Sequence, residues 1–177
     1  QMESCNKKGS GERVYQENQR RNTMNRMEMA ERMLNILKEK LGDELVSYAV
    51  FGSTARGTAR EMSDIDVIVI VKKDTEEALK TFMEARNEIE DVYPPYFSPV
   101  ITTEEELRKN PYILLDITED GIIMYDRNNT LHNLLERLRK RLEELGAKRI
   151  WIEEDTWYWD LKPDLKPGEV FDLSLED

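Results

Sequence analysis

FGSTARGTAREMSDIDVIVIV, residues 51–71, is the stretch that decides how this chain is read. It opens where an apolar run, Glu44–Phe51, stops at a Gly-Ser pair. Ten residues after Ser53, Asp64-Ile65-Asp66 opens a second run that is apolar at almost every position. The run Ile65–Val71 is too continuous for a half-exposed strand and reads as a central strand covered on both faces. In an extended strand, residues two apart face the same way, so Asp64 and Asp66 point together from its start. Gly-Ser alone marks any turn, and Asp-x-Asp alone suits a solvated strand end. Between two apolar strands, the two signals set a close-approach glycine opposite a pair of carboxylates.

That pairing has a chemistry. Two carboxylates on one strand face supply hard oxygen ligands for Mg²⁺ or Mn²⁺. Gly52 lets the backbone approach a phosphate, and Ser53 offers a hydroxyl and an N–H. Arg56 and Arg60, in the same loop, supply charge-assisted bonds to phosphate oxygens. Ser63, just before Asp64, caps or tethers the loop. Transfer of a nucleotide needs these parts, one metal ion activating the attacking hydroxyl and another neutralising the departing pyrophosphate.

Working outward, residues 24–41 place Ala30, Met33, Leu34, Leu37 and Leu41 at helical spacing, with Gly42 as a stop. Thr75–Val92 reads as a helix broken by Pro94-Pro95. Tyr96–Ile101 reads as a strand whose Pro99 confines it to an edge or a bulge. Thr103–Lys109 starts a helix with a capping pattern, Tyr112–Glu119 looks helical, and Gly121–Tyr125 looks extended. Leu131, Leu134, Leu135, Leu138, Leu142 and Leu145 stripe a long helix that ends at Gly146. The alternation gives an α/β (α+β) class, a small mixed sheet flanked by helices. Three parts are expected: a flexible leader over 1–23, a domain over 24–146, and an aromatic, Pro-rich extension over 147–177, irregular and packed on the domain.

Composition narrows the function. The 177 residues carry a formal charge of −11, which argues against broad nucleic-acid binding but not against a nucleotide held through metal ions. No apolar run is long enough to span a bilayer and the beginning of the chain has no signal-peptide core. The single cysteine, Cys5, excludes a disulfide framework, and a cytoplasmic protein is the expectation. His132 reads as a surface or capping residue. Trp151, Trp157, Tyr158 and Trp159 suit packing, with base stacking as the other use of such rings. Lys162 and Lys166 read as solvated. The methionines of the first helix suit core packing, with a pliable partner-binding face as the other use.

Gly52-Ser53, ten residues, then Asp64-Ile65-Asp66 resembles the signature of the polymerase-β-like nucleotidyltransferase superfamily, and the longer string most resembles the minimal nucleotidyltransferase (MNT-type) proteins of prokaryotes. The resemblance covers about residues 45–125, and the tail YWDLKPDLKPGEVF is similar to the end of some archaeal members. It implies the nucleotidyltransferase fold, ATP or another NTP with Mg²⁺ or Mn²⁺, and transfer of a nucleoside monophosphate, with ATP and AMP expected. It makes Asp64 and Asp66 the catalytic metal ligands, and Gly52, Ser53, Arg56 and Ser63 the nucleotide contacts. The implied acceptor is a hydroxyl, on a small molecule or on a partner such as a HEPN-type protein; a homodimer is a further expectation. The superfamily's third carboxylate falls at Ser98, with Glu104 and Asp116 as possible replacements. That substitution leaves open an antitoxin-like binding module with weak or no turnover.

Overall fold

The computed structural model describes residues 8–91 and 94–176, for 8–10 and 21–24 the backbone alone. Its centre is a four-stranded mixed sheet of β1 (Leu45–Phe51), β2 (Ile65–Val71), β3 (Phe97–Thr103) and β4 (Ile122–Asp126), in the order β3-β2-β1-β4. β2 runs antiparallel to β1 and parallel to β3, and β4 closes the other edge antiparallel to β1. The apolar run of β2 is thus interior, and Pro99 sits on an edge strand, where its missing N–H breaks no ladder.

Alternation along β2 sorts the core into two layers. Ile65, Val67, Val69 and Val71 face one cluster with Ala30, Met33 and Leu37 of α1 (Lys8–Leu41) and Ala78, Phe82 and Ala85 of α3 (Thr75–Ile89). Ile68 and Ile70 face the other, with Leu107 of α4 (Glu104–Lys109), Leu115 and Ile117 of α5 (Leu115–Thr118), and the leucine stripe of α6 (Thr130–Leu145). Asp66 has the parity of Ile68 and Ile70, so it belongs to the second layer, at the end of the strand where β2 begins. α2 (Gly52–Arg56) joins β1 to the loop before β2.

Local signals set the ends. The Thr103 hydroxyl accepts from the Glu106 N–H and the Thr103 N–H donates in turn to the Glu106 carboxylate, a full capping box. Asp126 accepts from the Leu131 and His132 N–H groups and so caps α6, with the exposed His132 side chain outside that contact. Among the described residues, no helix is long and apolar enough to cross a membrane.

Two expectations change. α1 begins at Lys8, so residues 8–23, read as a leader, are the first half of that helix. Residues 11–18 are exposed and carry no apolar stripe. Helix formers such as Glu12, Arg13 and Gln16 extend a helix already nucleated by the packed half, because propagation costs far less than nucleation. Cys5 and Val92 lie outside the described residues. The tail is not irregular throughout: β5 (Lys148–Glu153) and β6 (Thr156–Asp160) form a hairpin across the Glu154-Asp155 turn. A lone hairpin is marginal in water. This one is held because Trp159 and Leu161 pack on the second layer, joined by buried Leu173 and Leu175 further on.

Candidate active site

The register places the site. Phe51 pairs with Asp66, and Asp66 pairs in turn with Ser98. The residue after Phe51 is therefore forced against the Asp66 carboxylate. Gly52 has φ +68°, and a Cβ there would lie 2.3 Å from Asp66 Oδ2. Only glycine meets both demands, a left-handed backbone and zero side-chain volume. Gly57 (φ +74°) ends α2, and the chain turns back through the loop to Asp64.

That loop is held from outside. Arg26 of α1 is fully buried, and its guanidinium donates to the carbonyl oxygens of Ser63, Arg60 (2.7 Å) and Glu61 (3.1 Å). Ser63 Oγ accepts from the Arg60 N–H at 2.8 Å, and the Ser63 N–H donates back to Arg60 O at 3.0 Å. Ser63 thus tethers the loop, and Arg26 fixes the loop to the first helix. The helical spacing around Ala30 puts Arg26 on the buried side of α1, but a lone arginine in a polar stretch carries no signal for carbonyl clamping.

Electrostatics single out Asp66. Burial raises its pKa most and the charge of Asp64 raises it further; a hydrogen bond from the Ser98 hydroxyl and the charge of Arg56 oppose the rise, and Asp116 adds to it. Asp116 of α5 is likewise raised by burial, with Arg56 opposing. The sequence-predicted residues Gly52, Arg56, Asp64, Asp66 and Ser98 meet here, and Asp116 joins them. Glu104 does not: it bonds Arg108 at 2.7 Å, at the end of β3 opposite to Ser98. Arg60 is exposed and lines a shallow cavity with Tyr15, Asn18, Gln19 and Glu61.

The donor set suits one kind of metal binding. Among the described residues there is no group of three or more His, Cys, Asp or Glu side chains placed to hold an ion. A closed protein cage is therefore not offered. Two adjacent carboxylates, one exposed and one raised by burial and then by its neighbour, suit Mg²⁺ that arrives with a polyphosphate and takes its other ligands from phosphate and water.

The aromatic tail reaches the same place. Arg56 Cζ lies 4.6 Å from the centroid of the Trp157 ring. Trp157 also has Arg149 Cζ 5.0 Å away and the Trp151 ring at 5.0 Å. It is thus engaged by protein groups and is not a free platform for a base. Trp159 packs inward, and Lys162 bonds Asp164 at 3.0 Å.

Comparison with known proteins gives three findings. Residues 30–124 match the family model described as nucleotidyltransferase domain. Two proteins of Methanocaldococcus jannaschii, both provisionally named protein adenylyltransferases, are similar in sequence: one is 35% identical over 141 residues, covering 72% of this chain and 94% of its own, and the other is 40% identical over 92 residues, covering 49% and 82%. Among solved structures, a toxin–antitoxin pair crystallised with AMP-PNP aligns at a TM-score of 0.47 and 12% identity, over 66% of this chain and 92% of that one.

Proposed function

Because the chain belongs to the nucleotidyltransferase domain family, we propose that it moves the AMP of Mg·ATP onto a hydroxyl of a protein acceptor. One observation carries this reading: the Gly52 turn lies directly on the Asp66 carboxylate, with no room for a side chain between them. A loop fit to approach a triphosphate and a carboxylate fit to hold its cation are thereby one surface.

Asp64 and Asp66 are the residues that would hold Mg²⁺ or Mn²⁺, which supplies Lewis-acid polarisation of the triphosphate. The remaining roles belong to the chain. Gly52 and Ser53 admit the phosphates, and the first N–H groups of α2 have no intrahelical acceptor and can donate to them. Arg56 neutralises phosphate charge, and Arg26 with Ser63 keeps the loop in register with Asp64. In the transfer, the acceptor oxygen bonds to the α-phosphorus as the bond to pyrophosphate breaks. Ser98 donates to Asp66 and is no base. We assign the acceptor's proton to Asp116, whose basicity is raised by burial.

The protein acceptor is supported by the names of the two archaeal relatives, and the HEPN-type partner by the MNT-type motif. Incubation with α-labelled ATP, Mg²⁺ and a HEPN-type protein as candidate acceptor tests both. Label on the partner with wild type but not with Asp64→Asn is the expected result. Tight Mg·ATP binding with no label on any acceptor would instead identify the antitoxin-like binding module that Ser98 permits.

A further inference from the structure

We propose that the C-terminal hairpin is part of the nucleotide site, with Trp157 as the positioning residue that holds the Arg56 guanidinium in place. The proposal rests on the nucleotidyltransferase reading and adds to it a segment beyond residues 30–124, the span of the family match.

The geometry is a compact cluster of two cations and two indoles, Trp157 in contact with both cations and Arg149 set against both rings. Arg56 Cζ is 4.6 Å from the Trp157 ring centroid. Arg149 Cζ is 5.0 Å from the same ring and 4.4 Å from Trp151. The two indoles are 5.0 Å apart at 57°. The far end is anchored, since Arg149 also bonds Asp120 at 3.2 Å, both side chains only about a fifth exposed. Asp120 lies two residues beyond the end of α5, the helix that carries Asp116. The hairpin is thereby bound both to α2 and to the α5 segment, the two pieces of chain that flank Asp66.

The way Arg56 is held matters more than its being held. Its Nε is buried and has no hydrogen-bond partner among the described residues. A guanidinium fixed by bidentate bonds to a carboxylate has spent the N–H groups that a phosphate would use. A guanidinium held by charge attraction to a ring is not fixed through donor–acceptor pairs with a carboxylate, so its N–H groups stay available for phosphate oxygens. The cation–π contact with Trp157 therefore restrains a long side chain without pairing its donors with a carboxylate. Asp66 and Asp116 act on Arg56 through charge alone.

The test is a double-mutant cycle read by calorimetric titration of Mg·ATP into the full chain: wild type, Trp157→Ala, Trp157→Phe, Arg56→Ala and the Arg56→Ala/Trp157→Ala pair. Trp157→Ala is expected to weaken binding about tenfold, with Trp157→Phe within about threefold of wild type. In the Arg56→Ala background, removal of Trp157 is expected to change affinity by less than about twofold, since its effect passes through Arg56. Should Trp157→Ala fail to fold by circular dichroism, Trp157→Leu, which keeps the apolar contact and lacks the π face, is expected to show the same loss. Wild-type affinity in the Ala or Leu variant overturns the proposal, as does a loss of the same size with and without Arg56. Absence of Mg·ATP binding by wild type is a different failure: it removes the nucleotidyltransferase reading and this inference with it.

Discussion

Replacing Asp66 with asparagine is expected to stabilise the free protein while abolishing its grip on Mg·ATP. Asp64 and Asp66 are two residues apart on one side of a strand, which sets their carboxylates about 7 Å apart. At an effective dielectric constant of about 20, two unit charges at that distance repel by about 2 kcal/mol. Solvent and salt around the exposed Asp64 reduce this to about 1 kcal/mol. Asparagine keeps the shape, and its amide oxygen still accepts from Ser98. For a chain of this size the gain corresponds to a thermal midpoint higher by about 2–4 °C at pH 7 and low salt. The pH dependence has a definite sign. Asp66 is raised from its ordinary value of 3.8 in the fold, so the folded chain holds the proton more tightly than the unfolded one. Stability present in acid is then lost as pH rises from that ordinary value through the raised one. The variant's advantage should be absent below pH 3.8 and complete above the raised value. Calorimetric melts of both proteins from pH 3 to pH 8 measure it. A variant less stable than wild type at neutral pH would refute the reasoning, because the carboxylate would then be stabilised, not strained, by its surroundings.

Gly52→Ala puts a methyl group 2.3 Å from Asp66 Oδ2 on a backbone with φ +68°; a loss of about 2 kcal/mol or more in urea unfolding is expected, with Mg·ATP binding undetectable. Arg26→Leu takes the guanidinium from three backbone carbonyls, of which Arg60 O keeps the Ser63 N–H, and a loss of about 2–3 kcal/mol in the same assay, with weaker Mg·ATP binding, is the expected outcome. Ser98→Asp adds a third carboxylate beside Asp66 in the strand register; it should lower the melting point without metal and tighten Mn²⁺ binding about tenfold by spin-resonance titration. Unchanged Mn²⁺ affinity would mean that position 98 does not face the ion.

The fold was legible wherever burial is periodic. β2 announced itself as an interior strand because both of its faces are covered, so its apolar run has no polar interruptions after Asp66. The capping box at Thr103 and the stop at Gly146 (φ +67°) were legible because local backbone geometry demands those residue types. The core of the site was legible for a related reason. Gly52 directly follows β1 and Asp64 and Asp66 open β2, and because those two strands pair directly a short connection brings them together. What escaped depends on contacts between distant segments. Arg26 reaches the loop across 34 to 37 residues; its helical spacing places it on the buried side, but nothing local says what it would clamp. Asp116 and Glu104 were equal candidates until the direction of β3 separated them. The hairpin at 148–160 carries the unbroken apolar runs Ile150–Ile152 and Trp157–Trp159 in place of alternation, and its Glu154-Asp155 turn lacks the Asn-Gly type of signal that would have marked it. The first half of α1 was missed because it buries almost nothing.

Titration of ATP into wild type and into the Asp64→Asn/Asp66→Asn variant, each with Mg²⁺ and with EDTA, tests the central claim most directly. The account predicts saturable binding by wild type that disappears in EDTA, and no binding by the folded variant in either buffer. Equal affinity with and without Mg²⁺, or a folded variant that binds Mg·ATP as wild type does, would contradict it.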